Sequence, residues 1–353
     1  MNKKFGTLLL AGMMLMSTAT PVFAEEVPTV NPKPGTAAKP ATVSVTKDLE
    51  VAEGITLPTT NFAFTATAKP ETPGAPNATI SDIPYSDNDA KGTLNNKKFV
   101  ISKTSEIHFE DFPHAGEYDY TVSETIGTVP GMSYSRKTYT LRVYVANDAN
   151  GNLYVQNVTA QDNLTTEKSD KVLFTNTYTK NGGENSPTKK SLVIEKQTEG
   201  DLADRTKEFE FNVKFVKAGT TSPIDQTVTG KIGNDEIQFN YDQTKTFKLK
   251  HGQKLTFDRI PAGTRYEVTE VRAADGYTPS VTVVENGVET TKATAQKEED
   301  SLSSLNKGND NLIGEKENKV TFVNTYKNVP LTGIITKNAP MILVAGAGVL
   351  AML

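Results

Sequence analysis

Three residues recur together in this chain. Lys47, Glu124 and Asn176 each lie in a short apolar-flanked run, and Lys196, Glu270 and Asn324 lie in matching runs further on. The spacings are 77 and 52 residues in the first set and 74 and 54 in the second. The surrounding words agree as well. VSVTKDL (43–49) pairs with LVIEKQT (192–198), GEYDYTVSE (116–124) with GTRYEVTE (263–270), and VLFTNTY (172–178) with VTFVNTY (320–326). Equivalent positions are offset by 149, 146 and 148 residues, about the length of one sandwich domain. The chain is therefore read as a tandem duplication of one fold, each copy keeping a Lys, a Glu and an Asn on strand-like segments.

The fold class follows from the periodicity. From Thr42 onward the sequence is a series of short alternating runs bounded by Gly, Pro, Asn or Asp, the pattern of half-buried strands. The fold is expected to be all-β: two tandem Ig-like β-sandwiches joined end to end by a short linker. The expected boundaries are 42–178 for the first domain, 179–190 for a polar linker and 191–327 for the second domain. Asn150-Gly151 between two runs marks a hairpin turn. Residues 25–41, rich in Pro and Thr, read as a flexible leader. The charged stretch 292–318 reads as a long surface insertion before the last strand.

The triplet has a chemical meaning if the first and last strands of each domain are neighbours. In phase with Tyr118, Tyr120 and Val122, Glu124 falls on the core face; Glu270 does the same with Tyr266 and Val268. A lone carboxylate there is costly. Burial favours a neutral lysine amine, which is the nucleophilic form, and a protonated glutamic acid, which is a proton donor. Fixing amine and carboxamide at attack distance supplies a high effective concentration. The products expected are two isopeptide bonds, Lys47 to Asn176 assisted by Glu124 and Lys196 to Asn324 assisted by Glu270. Each bond would form once, with loss of ammonia, so the chain is not read as a turnover enzyme.

Composition narrows the remaining classes. The chain has no cysteine, so no disulfide can staple its domains. Its net charge of −4 is dispersed, and no basic cluster for phosphate neutralisation occurs, so nucleic acid is not an expected partner. The three histidines, His108, His114 and His251, have no ligand spacing, and neither a metal nor a cofactor is implied. Tryptophan is absent, and the remaining aromatics fall at period two in strand-like runs, as in a sheet core.

With these residues in view, the chain resembles a Gram-positive major (backbone) pilin of the FctA or T-antigen type, from about Thr42 nearly to its end. SLVIEKQTEGDLADRTKEFEFNV (191–213) and YEVTEVRAADGYT (266–278) carry the likeness most strongly. The resemblance implies two CnaB-related domains and the isopeptide residues already named. It also gives the ends a role. The first 24 residues, with Lys3 and Lys4, an apolar run and Ala24, read as a secretory signal peptide. Val329-Pro330-Leu331-Thr332-Gly333 resembles a sortase sorting motif, with cleavage expected between Thr332 and Gly333. The apolar run 341–353 after it is shorter than a membrane span of about 20 residues, and no basic tail follows.

A backbone pilin also needs an acceptor lysine. By resemblance it lies just before the first domain's final strand, where Lys168 and Lys171 stand, Lys168 being preferred. The partners implied are a sortase transpeptidase, other copies of the chain in a head-to-tail fibre, accessory pilins and cell-wall peptidoglycan. The expected location is a surface pilus, secreted and anchored to the cell wall. The competing reading is a wall-anchored adhesin or accessory pilin that uses the same domains as a stalk.

Overall fold

Alternating strands dominate the computed structural model of the chain, which describes residues 34–219, 227–294, 300–305 and 310–326. Every regular element among them is a strand. They fold into two sandwiches, each with its own apolar core. The Ig-like all-β architecture is thus the one anticipated from the period-two pattern.

In the first domain, Ser44–Ala52 is flanked by Val172–Tyr178, running parallel, and by Lys98–Phe109, running antiparallel. Lys98–Phe109 is 12 residues long. Its first part, Lys98–Glu106, pairs with Ser44–Ala52, and its end, Ile107–Phe109, pairs with Ala78–Ile80. This strand therefore passes from one layer to the other. The facing layer contains Phe64–Ala68, Gly116–Glu124, Thr138–Asn147 and Leu153–Asp162, successive neighbours in the sheet. Along Gly116–Glu124 the alternate residues Tyr118, Tyr120, Val122 and Glu124 are buried, as the pleat requires.

The second domain repeats the central arrangement. Leu192–Glu199 lies parallel to the last strand, Lys319–Tyr326, and antiparallel to Lys254–Phe257. The opposing sheet is built on Phe209–Val216 and Arg265–Glu270. Phe211, Phe215, Phe239, Phe247, Phe257 and Phe322 form a linked aromatic core between the sheets. Aromatic pairs at such tilted and edge-on angles add a modest stabilisation beyond area burial, about 0.5–1.5 kcal/mol each.

The hairpin turn marked by Asn150-Gly151 is present, and two other segments differ from the sequence reading. The hairpin after Thr138–Asn147 uses a five-residue loop, because Leu153 pairs with Asn147. The Asp148 carboxylate accepts from the backbone N–H groups of Asn150 and Asn152, and Gly151 takes a positive φ of 87°. The end of the leader is docked: the N–H groups of Gly35 and Ala41 donate to the carbonyls of Gln156 and Val155. The stretch 292–318 is partly core rather than a surface insertion, since Leu302, Ser304, Asn311, Ile313, Glu315 and Asn318 are buried. Leu302–Ser303 and Asn311–Leu312 both pair with Arg265–Glu270.

The two domains meet closely. Ala218 and Ala262 of the second join the buried cluster of the first. Glu53 and Arg265 form an ion pair across the junction, and the Glu315 N–H donates to the Gly54 carbonyl. Gly263 has φ 90°, and a β-carbon there would stand 2.5 Å from the Ala52 side chain. That approach and that backbone conformation both require glycine. Residues of the 179–190 segment are hydrogen-bonded to the second domain, Gly182 N–H to the Ile260 carbonyl and Gly183 N–H to the Gly314 carbonyl.

Candidate functional site

The parallel strands bring the predicted residues together. Lys47 stands opposite Phe174, and Asn176 opposite Leu49, so Lys47 and Asn176 are separated by one pleat on the same inward face. Glu124 reaches them from the facing layer. Its Oε2 lies 3.0 Å from Lys47 Nζ, and its Oε1 accepts from Asn176 Nδ2 at 2.6 Å. Lys47 Nζ also donates to the Phe174 carbonyl at 3.4 Å. All three residues are buried, and the Lys47 and Glu124 side chains have no exposed surface.

The second domain reproduces the register. Lys196 stands opposite Phe322 and Asn324 opposite Thr198. Lys196 Nζ is 2.9 Å from Glu270 Oε1, within ion-pair distance but without a hydrogen-bond direction. The same oxygen accepts from Asn324 Nδ2 at 2.8 Å. Lys196, Glu270 and Asn324 are fully buried. Lys196 Nζ, Glu270 Oε2 and Asn324 Oδ1 lack hydrogen-bond partners among the described residues.

Electrostatics push both pairs toward their reactive forms. Burial lowers Lys47 to about 8 against the pull of Glu124, and lowers Lys196 to about 8 against that of Glu270. Burial also raises Glu124 and Glu270, opposed by their lysines. A neutral amine beside a protonated acid is the outcome that desolvation favours. Phenyl rings complete the desolvation. Phe62 lies 4.7 Å from Lys47 Nζ and Phe209 lies 4.1 Å from Lys196 Nζ, each measured to the ring centroid.

A buried ion pair is by itself weak evidence of stabilisation, because desolvation offsets much of its Coulombic gain. The informative feature is the third member. In each domain one carboxyl group touches both an amine and the carboxamide nitrogen that would leave if the amine attacked. That is the contact set needed to take a proton from the nucleophile and deliver one to the leaving group.

Residues 43–179 match the family model described as "Spy0128-like isopeptide containing domain". The chain as a whole is similar to the protein "Pilin" of Streptococcus pyogenes serotype M1, with 28% identity over 96% of this chain and 94% of that one. A second relative is the "Pilus tip adhesin Cpa" of Streptococcus pyogenes, 31% identical over 42% of this chain and 19% of the adhesin. Among solved structures, the major pilin protein T3.2 of Streptococcus pyogenes is 22% identical, aligned over 82% of this chain and 98% of that one with a TM-score of 0.36. Residues 190–326 match a family described only as a domain of unknown function. The two domains thus match different family descriptions while sharing the register of Lys, Glu and Asn.

The other predicted positions fall elsewhere. Lys168 is exposed on the short strand Lys168–Ser169, which pairs with Ala160 and Gln161 at the sheet edge. Lys171 is exposed just before the last strand of the first domain. Thr332 and Gly333, the signal peptide and the apolar tail lie outside the described residues. Among the described residues no group of His, Cys, Asp or Glu is placed to hold a metal ion. His251 instead accepts the Thr198 N–H through Nδ1 at 2.9 Å, next to the second site.

Two kinds of site residue escaped the sequence reading. Phe62 and Phe209 each follow the lysine by a similar interval, in NFAF and FEFNV, and that shared aromatic was a usable signal. Ser135 donates its backbone N–H to Asn176 Oδ1 at 2.7 Å, and the Ala273 carbonyl accepts from Asn324 Nδ2 at 3.0 Å. Main-chain groups leave no mark in residue identity.

Proposed function

We propose that this protein is the structural backbone subunit of a covalent surface pilus, its two domains each closed by an intramolecular Lys–Asn isopeptide bond. The observation that carries the reading is the repeated buried triad, in which Glu124 or Glu270 touches both the amine and the amide nitrogen. Lysine attack on the Asn carbonyl carbon, with the glutamic acid passing protons from Nζ to Nδ2, releases ammonia and leaves a secondary amide. The similarity to a pilin over nearly the whole chain supports a pilus subunit.

Polymerisation would proceed through a sortase. The enzyme would cleave after Thr332, and Lys168 of the next subunit would release the acyl-enzyme, with Lys171 as the alternative acceptor. Such a contact between unlike surfaces does not close on itself and produces an open filament. The subunit would then stand outside the cell, linked to further copies, to accessory pilins and finally to peptidoglycan. Similarity to a tip adhesin supports a second reading, an accessory pilin or wall-anchored adhesin using these domains as a stalk.

Intact mass of the full-length secreted chain tests the proposal. A deficit of two ammonia molecules, mapped to Lys47–Asn176 and Lys196–Asn324 branched peptides, is the expected result. A mass equal to that of the sequence would refute the cross-linking.

A further inference from the structure

The two triads hold the reacting amide differently, and the inference drawn from this rests on the cross-linking proposed above. In the first domain every reacting atom has a partner. Lys47 Nζ meets Glu124 Oε2, Asn176 Nδ2 meets Glu124 Oε1, and Asn176 Oδ1 accepts the Ser135 N–H at 2.7 Å. In the second domain a single oxygen, Glu270 Oε1, accepts from Asn324 Nδ2 at 2.8 Å and stands 2.9 Å from Lys196 Nζ without a hydrogen bond to it. Asn324 Oδ1 is buried there without a hydrogen-bond partner among the described residues, and Asn324 Nδ2 is held additionally by the Ala273 carbonyl.

We infer that the Ser135 main-chain N–H is an oxyanion donor that accelerates cross-linking in the first domain, and that the second domain works without a counterpart. The balance of the step shows why Oδ1 matters. The amine pair of Lys47 forms the new bond to Asn176 Cγ, and the carbonyl π pair moves onto Oδ1. Negative charge therefore develops on the atom that Ser135 faces. Collapse restores the carbonyl and breaks the Cγ–Nδ2 bond. Glu124 returns to Nδ2 the proton that makes it leave as ammonia, and receives the remaining proton from Nζ. A donor already 2.7 Å from the oxygen needs no reorganisation when the charge appears, and removing one such donor slows acyl transfer by about 10²–10³-fold.

The fold explains the difference. Met132–Ser133 pairs with Thr177 and Tyr178 of the last strand, so the chain that follows is carried past Asn176 before entering Thr138–Asn147. In the second domain the corresponding flank of the last strand is taken by Tyr277–Glu285, paired along its length. The turn after Glu270 then presents the Ala273 carbonyl, an acceptor, and this acceptor is aimed at the nitrogen.

The test replaces the Tyr134–Ser135 amide with an ester in the full chain, by incorporating the α-hydroxy analogue of serine during cell-free synthesis. This exchanges only the N–H for oxygen. Samples are acid-quenched at intervals, and the two branched peptides are quantified separately by mass spectrometry. First-domain closure is expected to slow about 100-fold while second-domain closure keeps its rate. Ser135→Ala, which retains the N–H, is expected to behave as the unaltered chain. Unchanged first-domain closure in the ester, equal slowing of both domains, or slowing in Ser135→Ala matching that in the ester would overturn the inference. If the unaltered chain loses no ammonia, the cross-linking itself fails and this inference falls with it.

Discussion

Asn176 lies one pleat beyond the residue that faces Lys47 on the adjacent parallel strand, and Asn324 holds the same position relative to Lys196. The register is identical although the two domains differ in how their strands are divided between sheets and in the elements flanking the last strand. Such coincidence ties the lysine and asparagine of each domain to one another rather than to the local sheet.

Single substitutions at the glutamates separate the two sites. Glu124→Ala is expected to restore one ammonia to the intact mass and to remove only the Lys47–Asn176 branched peptide. Glu270→Ala is expected to do the same for Lys196–Asn324. General acid–base catalysis is worth about 10²–10⁴-fold, enough to stop the bond forming on the timescale of expression. Loss of both branched peptides from either variant would contradict independent sites.

Removing the acceptor amide measures what the bond contributes to stability. Asn176→Ala keeps the Lys47–Glu124 pair but cannot cross-link. By the loop-closure model a tie around so long a segment stabilises by about 5 kcal/mol. At about 2–4 °C per kcal/mol, the first-domain transition in calorimetry is expected to fall by roughly 10–20 °C. A transition within a few degrees of the parent would show that the bond adds little.

Acidity controls the rate of closure. The reactive pair is a neutral Lys47 and a protonated Glu124. Burial lowers Lys47 to about 8 and raises Glu124. The pair shares one proton across the middle of the range, where the rate is expected to be flat. Above about pH 8 the shared proton is lost and the acid disappears, so the rate falls. In acid both groups are protonated, the amine is blocked, and the rate falls again. Timed quenching of nascent chains at several pH values, followed by peptide mapping, checks this. A rate rising steadily to pH 10 would remove the acid from the mechanism.

The acceptor prediction concerns assembly rather than folding. Lys168→Ala is expected to abolish high-molecular-mass ladders of cell-wall material on denaturing gels while leaving both internal bonds intact. Ladders that persist in Lys168→Ala and vanish in Lys171→Ala would move the acceptor three residues on. Persistence in both would favour the stalk reading.

Much of this was legible in the sequence because its signals are repeated and periodic. The strands that hold the triads show period-two burial, and duplication separates Glu124 and Glu270 from the many carboxylates that merely face solvent. The rest was hidden for identifiable reasons. Asn150-Gly151 marked the hairpin but not the part played by Asp148, whose carboxylate organises the five-residue loop. The charged composition of 292–318 masked Leu302 and Ile313, which enter the core of the second domain. Ser135 acts through its N–H, and almost any residue could supply one.

The parallel pairing of first and last strands has a consequence for how tension crosses the molecule. A chain of this topology enters each sandwich at one pole and leaves at the other. With both bonds closed, a pull on the two ends travels along the backbone to Lys47, steps across to Asn176, continues to Lys196, and steps across again to Asn324. The residues between each joined pair then lie off that path, so their unfolding would not lengthen the distance between the two ends.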